Sequence, residues 1–424
     1  MKKALLCCFA IILAMWVAVS PAIALSPDKP GLLPTFYDVP DDLVPGEPGS
    51  IIKLESVDAP ENARAWRVVY RSQKASGDPV AVSGLIIAPK SPSLGSKLPV
   101  VSWAHGTVGG ARYCAPSNVP NPVTDFVGYP SFNSTVPNDY GIPGLSTFIK
   151  AKYVVVASDY QGLGAGEKHE YAVGLSQARN ALDIVKAAQT VTPAGKKVAL
   201  LGWSQGGLAA VTAGENASYA PDLDIVGIAA LAPANPASFV IPEIAGQSTG
   251  GPRIGRLILL NTAYTWAYPD LHLSDVFTET GMEAAKAAAR QCIQQLSVTG
   301  DTAEAQNDKP DMTKPADPSV LFKPTNANLH AWVAKFAENA IGRHLFQSPV
   351  LVMQGTADDI IPAASTDLYV KDACKFRAPI RYIKYKAKNH RTLLPAAEDD
   401  FTTWIAKRFD NIAAPSNCPD GEIQ

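Results

Sequence analysis

Apolar residues fall into two rhythms along this chain. Short strand-like runs recur at Ala65 to Arg71, Val80 to Ile87, Leu98 to Ala104, Tyr153 to Ser158, Lys197 to Leu201, Ile225 to Leu231, Pro349 to Gln354 and Ile380 to Tyr385. The later runs are continuous and rich in Val, Ile and Leu, the pattern of parallel strands buried on both faces. Helical spacings lie between them. Ser176 to Thr190, for example, puts Ala178, Ala181, Leu182, Val185 and Ala188 on one face. Eight strands with helical crossovers predict an α/β fold, one mostly parallel eight-stranded sheet with helices on both faces. Asn235 to Phe346 interrupts the alternation between the sixth and seventh strands. It holds helical candidates at Gly281 to Leu296 and Asn328 to Ala340 but no clear strand, and it is too long for an unstructured connection. A helical lid is expected there. The chain then divides into a leader at 1–24, a core at 25–234, the lid at 235–346, and the rest of the core with a C-terminal tail at 347–424.

The leader is read from its own pattern. Lys2 and Lys3 precede an uncharged apolar stretch, Ala4 to Val19, and Ala22-Ile23-Ala24 is an A-x-A-like cleavage site. The stretch is short for a membrane span and Pro21 follows it. Cys7 and Cys8 lie inside it, which argues against a lipoprotein. The mature chain is expected to start near Leu25, secreted or periplasmic behind a bacterial-type signal, without a stable membrane anchor. Cys114, Cys292, Cys374 and Cys418 remain. Four cysteines in an oxidising compartment imply two disulfides, with three possible pairings. They form no Cys-x-x-Cys pair and no histidines cluster near them, so no metal site is expected. The net charge is −2, charged residues are 18% of the chain, and no basic run stands out. That argues against nucleic acid and anionic lipid surfaces as partners. Nothing in the sequence sets the oligomeric state.

The chemistry centres on Ser204. It sits in Gly202-Trp203-Ser204-Gln205-Gly206, between the apolar run ending at Leu201 and an Ala/Gly-rich helical segment, Leu208 to Asn216. Strand, tight turn and helix with Ser at the apex of Gly-x-Ser-x-Gly is the nucleophile elbow of an α/β-hydrolase. Side chains at Gly202 or Gly206 would collide with so sharp a turn. In this fold the order is nucleophile, acid, histidine. His390 is the only histidine after the seventh strand, and it lies just past the eighth. His105, His169, His272, His330 and His344 fail the order rule. The acid should follow the seventh strand, which ends in Gly355-Thr356-Ala357-Asp358-Asp359-Ile360-Ile361-Pro362. Asp358 is the choice and Asp359 the alternative. Its task would be to hold the His390 tautomer and stabilise the imidazolium.

An oxyanion hole needs two backbone N–H donors. Gln205, after the nucleophile, supplies one. The loop after the third strand, His105-Gly106-Thr107, supplies the other, with Thr107 preferred over Gly106 and His105 packing the loop. Gly162-Leu163-Gly164-Ala165-Gly166 lacks the third glycine of a dinucleotide loop. Leu257 to Leu260 followed by Tyr264, Trp266 and Tyr268 is an apolar and aromatic stretch inside the insertion. Trp266 and Tyr264 are expected either to line an acyl pocket above Ser204 or to form the lid's own core.

At these residues the chain resembles the secretory lipase family, which includes the Candida-type lipase A. The likeness rests on His105-Gly106-Thr107 with Cys114-Ala115-Pro116-Ser117, on Asp159-Tyr160-Gln161-Gly162-Leu163-Gly164, and on Tyr219-Ala220-Pro221-Asp222-Leu223 after the elbow helix. It spans about Ala65 to His390 and is weakest in the lid. The resemblance implies hydrolysis of lipid and related esters beneath a helical lid, with Ser204, Asp358 and His390 as the triad. It also implies the pairings Cys114–Cys292 and Cys374–Cys418. The expectation is a secreted serine ester hydrolase that needs no metal or cofactor and works through an acyl-enzyme. A serine peptidase or acyltransferase on the same fold is the alternative. A non-catalytic binding protein would lack a triad member, and none is missing.

Overall fold

The continuous apolar runs form the middle of one sheet, where both faces of a strand are covered. The computed structural model of the chain describes residues 33–90, 95–129, 134, 136–237, 253–294, 318–345, 347–376, 379–418 and 422–423. The leader expected at 1–24 lies outside them, as do 238–252, 295–317 and 346 of the expected lid. The strands are β1 (Ile51–Val57), β2 (Ala63–Gln73), β3 (Pro79–Pro89), β4 (Leu98–Ala104), β5 (Val154–Ser158), β6 (Ala194–Trp203), β7 (Asp224–Leu231), β8 (Val350–Gly355), β9 (Ile380–Tyr385) and β10 (Glu422–Ile423). All eight expected strands are present, as β2 to β9. The two additions are edges. β1 is half exposed, and β10 is too short to leave a pattern.

The sheet order is β1-β2-β3-β5-β4-β6-β7-β8-β9-β10. Pairings are antiparallel from β1 to β5 and parallel from there to β10. The helices of six or more residues are α1 (Leu145–Lys150), α2 (Gly174–Val191), α3 (Gln205–Glu215), α4 (Arg253–Ala267), α5 (Glu279–Ala288), α6 (Leu329–Glu338), α7 (Ala363–Ala373) and α8 (Leu393–Phe409). Two glycines show that both faces are covered. A Cβ on Gly202 in β6 would meet Ala210 of α3, whereas one on Gly227 in β7 would meet Trp404 and Arg408 of α8. Gly227 pairs with Ala199, three residues from Gly202 and so of opposite parity. This mixed sheet with helices on both faces is an α/β-hydrolase fold.

Between β7 and β8 the described residues hold helices and no strand. The helix expected at Gly281 to Leu296 is shorter, ending at Ala288. Beyond it the chain must straighten, because Cys292 bridges to Gly109 and Ile293 N–H donates to the Val108 carbonyl. The stretch around Leu257 is α4, with Leu257, Ile258, Leu259, Leu260 and Tyr264 buried. Leu32 to Gln424 forms one compact unit that contains these helices.

Candidate active site

β6, a central strand, delivers Ser204 from its C-terminal end in a strained turn, with φ +58° and ψ −118°. A non-glycine residue adopts this region only when its surroundings force it. Here the two flanking glycines leave room for nothing else. A Cβ on Gly202 would stand 2.0 Å from the Gly206 carbonyl oxygen, and one on Gly206 only 1.8 Å from that of Ala104. The turn is pinned by backbone bonds. Ser204 N–H donates to the Leu231 carbonyl at 2.9 Å, and its carbonyl accepts from Ala234 at 3.0 Å and Leu208 at 3.1 Å. Gln205 opens α3, so the serine stands at the positive end of a helix dipole.

Asp358 leaves the end of β8 with its side chain fully buried. All the hydrogen bonds described for its carboxylate are received. Oδ1 accepts Ile360 N–H at 2.9 Å and Ile361 N–H at 2.8 Å, and Oδ2 accepts the Gln354 amide at 3.1 Å and His390 Nδ1 at 2.8 Å. Gln354 is itself held by Thr366, whose hydroxyl donates to Oε1 at 2.6 Å. The alternative acid, Asp359, is exposed. His390 is buried in the loop after β9. Trp203, the neighbour of Ser204, donates from Nε1 to the His390 carbonyl at 3.1 Å, and the two rings lie 4.8 Å apart. Arg391 clamps the same loop. Its guanidinium pairs with Asp139 at 2.9 Å and covers the Tyr129 ring at 4.3 Å. Among the described hydrogen bonds, none joins Ser204 directly to His390; Trp203 brings the two into one neighbourhood.

The segments expected to supply oxyanion donors meet at the same place. Gly206 touches the Ala104–His105 backbone, which leads into Gly106 and Thr107. His105 is buried with Nδ1 2.6 Å from the Gly106 carbonyl and Nε2 3.2 Å from that of Asp159, and burial lowers its pKa. It packs the loop. A cavity of about 10 Å³ opens at Ser204, room for roughly one water. Tyr171, Ala172, Arg256, Leu260, Ile360 and Ile361 are among its lining residues.

Neither aromatic residue singled out in the insertion lines that cavity. Tyr264 is fully buried, its ring 4.8 Å from Phe336 of α6 and its hydroxyl donating to the Ala172 carbonyl at 3.2 Å. Trp266 lies on a separate groove beside Asp38, Arg112 and Glu167. From α4, Arg256 and Leu260 line the cavity at Ser204, and Tyr264 belongs to the packed core. Sequence reading also missed Gln354, Arg391, Asp139, His169 and Tyr171, which no short motif marks.

Disulfides join Cys114 to Cys292 and Cys374 to Cys418. The first ties the loop beyond Thr107 to the chain leaving α5. Among the described residues there is no cluster of three or more side chains able to hold a metal, and no helix long and apolar enough to cross a membrane.

A family model described as secretory lipase matches residues 130–417. Lipase A of Arthroderma benhamiae is 23% identical over 413 residues, 92% of this chain and 81% of its own length. A Mycobacterium tuberculosis protein described as a probable inactive lipase is 23% identical over 411 residues, covering 93% and 87%. Among solved structures, Candida antarctica lipase A in its closed state superposes with a TM-score of 0.73 at 21% identity, over 95% of this chain and 90% of that one. This last likeness concerns the fold.

Proposed function

We propose that this chain, which belongs to the secretory lipase family and is a carboxylic-ester hydrolase, cleaves its ester through Ser204, His390 and Asp358. The observation that carries the reading is the buried Asp358–His390 bond of 2.8 Å beside a serine held at φ +58°. With Nδ1 bonded to Asp358, Nε2 of His390 is the nitrogen left to take the serine proton. The Ser204 oxygen attacks the ester carbonyl. The N–H groups of Gln205 and Thr107 stabilise the oxyanion. His390 returns the proton to the leaving alcohol, and water, activated by the same histidine, releases the acid from the acyl-enzyme.

A cavity that holds about one water has no room for an acyl chain. Helix α4, which brings Arg256 and Leu260 to that cavity, must therefore shift to admit substrate, as a lid would. The Leu260, Ile360 and Ile361 side chains offer an apolar wall, which suits the acyl side of a lipid ester and excludes water.

A fluorophosphonate probe followed by peptide mapping tests the nucleophile. Labelling is expected on the peptide holding Ser204, and S204A should lose about six orders of magnitude in kcat. Labelling of another serine, or none, sinks the assignment and favours an inactive relative. Chromogenic esters from acetate to palmitate, run beside a matched amide, test the substrate. Equal turnover of amide and ester favours the peptidase reading.

A further inference from the structure

One short segment grips both residues proposed as oxyanion donors. His169 Nε2 lies 3.0 Å from the Gln205 side-chain amide nitrogen. Two positions on, the Tyr171 hydroxyl lies 2.7 Å from Thr107 Oγ1. These partners come from different parts of the fold, the start of α3 and the loop after β4. They converge on a segment bent back on itself, with Tyr171 N–H donating to the His169 carbonyl at 2.8 Å.

The chemistry of each contact is defined by its neighbours. His169 Nδ1 faces the Gln161 carbonyl at 2.9 Å, so that nitrogen carries the proton. Nε2 is then an acceptor, and the Gln205 amide donates to it. Burial pushes His169 down to about 3, so the ring is neutral at neutral pH. Gln205 Oε1 is buried without a hydrogen-bond partner, so the contact to His169 is what holds this side chain. The segment is pressed into place by the glycine loop before it. Gly162, at φ +77°, leaves no room for a Cβ, which would stand 2.1 Å from the Lys168 carbonyl carbon and 2.2 Å from His169 N. That glycine run, which fits no dinucleotide fingerprint, has a structural task here. Next to Tyr171, Ala172 adopts φ +55° and accepts the Tyr264 hydroxyl from α4.

We propose that His169 and Tyr171 are positioning residues for the oxyanion hole, holding Gln205 and Thr107 by their side chains so that the two backbone N–H groups keep the spacing the tetrahedral intermediate needs. The inference rests on the assignment of Gln205 and Thr107 made above. His169 acts only through Gln205, and Tyr171, which lines the cavity at Ser204, acts on the donor through its hydroxyl bond to Thr107.

The test uses the full-length enzyme, a butyrate ester, and a boronic acid as tetrahedral mimic. Loss of a direct donor costs about 10²–10³ in kcat. Y171F, which removes only the hydroxyl, should cost less, about 10- to 100-fold in kcat with KM within about twofold, and weaken boronic acid binding by a similar factor. T107V keeps its N–H and should match Y171F. The double variant should be no worse than either alone, because both remove one bond. Gln can place an oxygen where Nε2 stood, whereas Asn reaches only the Nδ1 position. H169Q should therefore stay near wild type and H169N should lose kcat. Additive losses in the double variant, or a fall in Tm with kcat and boronic acid affinity unchanged, would overturn the proposal. T107P, which removes the N–H itself, separates the two levels. Full activity in T107P defeats the oxyanion assignment. Strong loss in T107P with Y171F unaffected defeats only the positioning role, and the Y171F/T107V cycle decides the matter if T107P does not fold.

Discussion

Replacing Asp358 with asparagine tests the centre of the mechanism, because the structure dictates how the amide must sit. Four donors converge on the carboxylate: two backbone N–H groups on Oδ1, and Gln354 and His390 on Oδ2. An amide has one acceptor oxygen. If that oxygen stays with Ile360 and Ile361, the new NH₂ faces two donors. Gln354 then loses one acceptor but keeps the Gly355 and Ile361 carbonyls, each at 3.1 Å, so the loss is that of one buried hydrogen bond, about 0.5–1.5 kcal/mol in stability. His390 can answer only by changing tautomer, accepting at Nδ1 and carrying its proton on Nε2. That is the nitrogen required to take the serine proton. A wrong tautomer with intact geometry costs about 10⁴ in kcat, which is about 5.4 kcal/mol of transition-state stabilisation. The opposite orientation strands two backbone donors and is no better. The assay is kcat on a short chromogenic ester, beside a thermal melt to separate chemistry from unfolding. D359N, at an exposed side chain, should remain near wild type. D358N retaining activity within tenfold, or D359N proving the more damaging change, would refute the reasoning.

Further expectations follow from other parts of the fold. The Glu215 carboxyl is pushed up to about 7 by burial, against backbone N–H bonds from Gly342, Arg343 and His344 that pull it down. The folded state thus holds this proton more tightly than the unfolded chain, so the group's contribution to stability is full below about pH 4.5 and is lost as pH rises through about 7. Relative to E215Q, wild type should lose up to about 3 kcal/mol between pH 4.5 and 7.5 in urea unfolding, and a flat difference between the two proteins would contradict this. Breaking Cys114–Cys292, which closes a separation of 178 residues, should lower stability by about 2–5 kcal/mol in denaturant titrations of the C114A/C292A double variant; a loss below about 1 kcal/mol would show that the backbone bonds around Gly110 and Ile293 suffice on their own. W266A should leave the acyl-length profile unchanged, whereas L260W should shift it toward short chains; the reverse result would return Trp266 to the site.

Much of this protein is legible residue by residue, and the reasons are local. The turn at Ser204 demands glycine at 202 and 206 because a Cβ at either place overlaps a backbone carbonyl. Strands buried on both faces must be largely apolar, so β4 to β8 announce themselves. Chain order then leaves one histidine and two neighbouring acids to choose between. The choice itself is tertiary. Asp358 and Asp359 are adjacent and chemically alike, and only the bend at the end of β8 buries the first and exposes the second. Helix α4 makes the same point. Its apolar and aromatic composition signals burial, but which residues face Ser204 depends on helix rotation about a neighbour far away in sequence. Trp266 lies six positions past Leu260, about 240° further round at roughly 100° per residue, and so meets a different groove. Tyr264 shares the Leu260 face but sits one turn along, against Phe336. The edge strand β1 and the grip of His169 and Tyr171 on Gln205 and Thr107 left no pattern to read. Their partners are remote in sequence, and their meeting is set by strand order and loop packing. Short-range sterics and periodicity are written into neighbouring residues; distances between remote side chains exist only once the sheet has assembled.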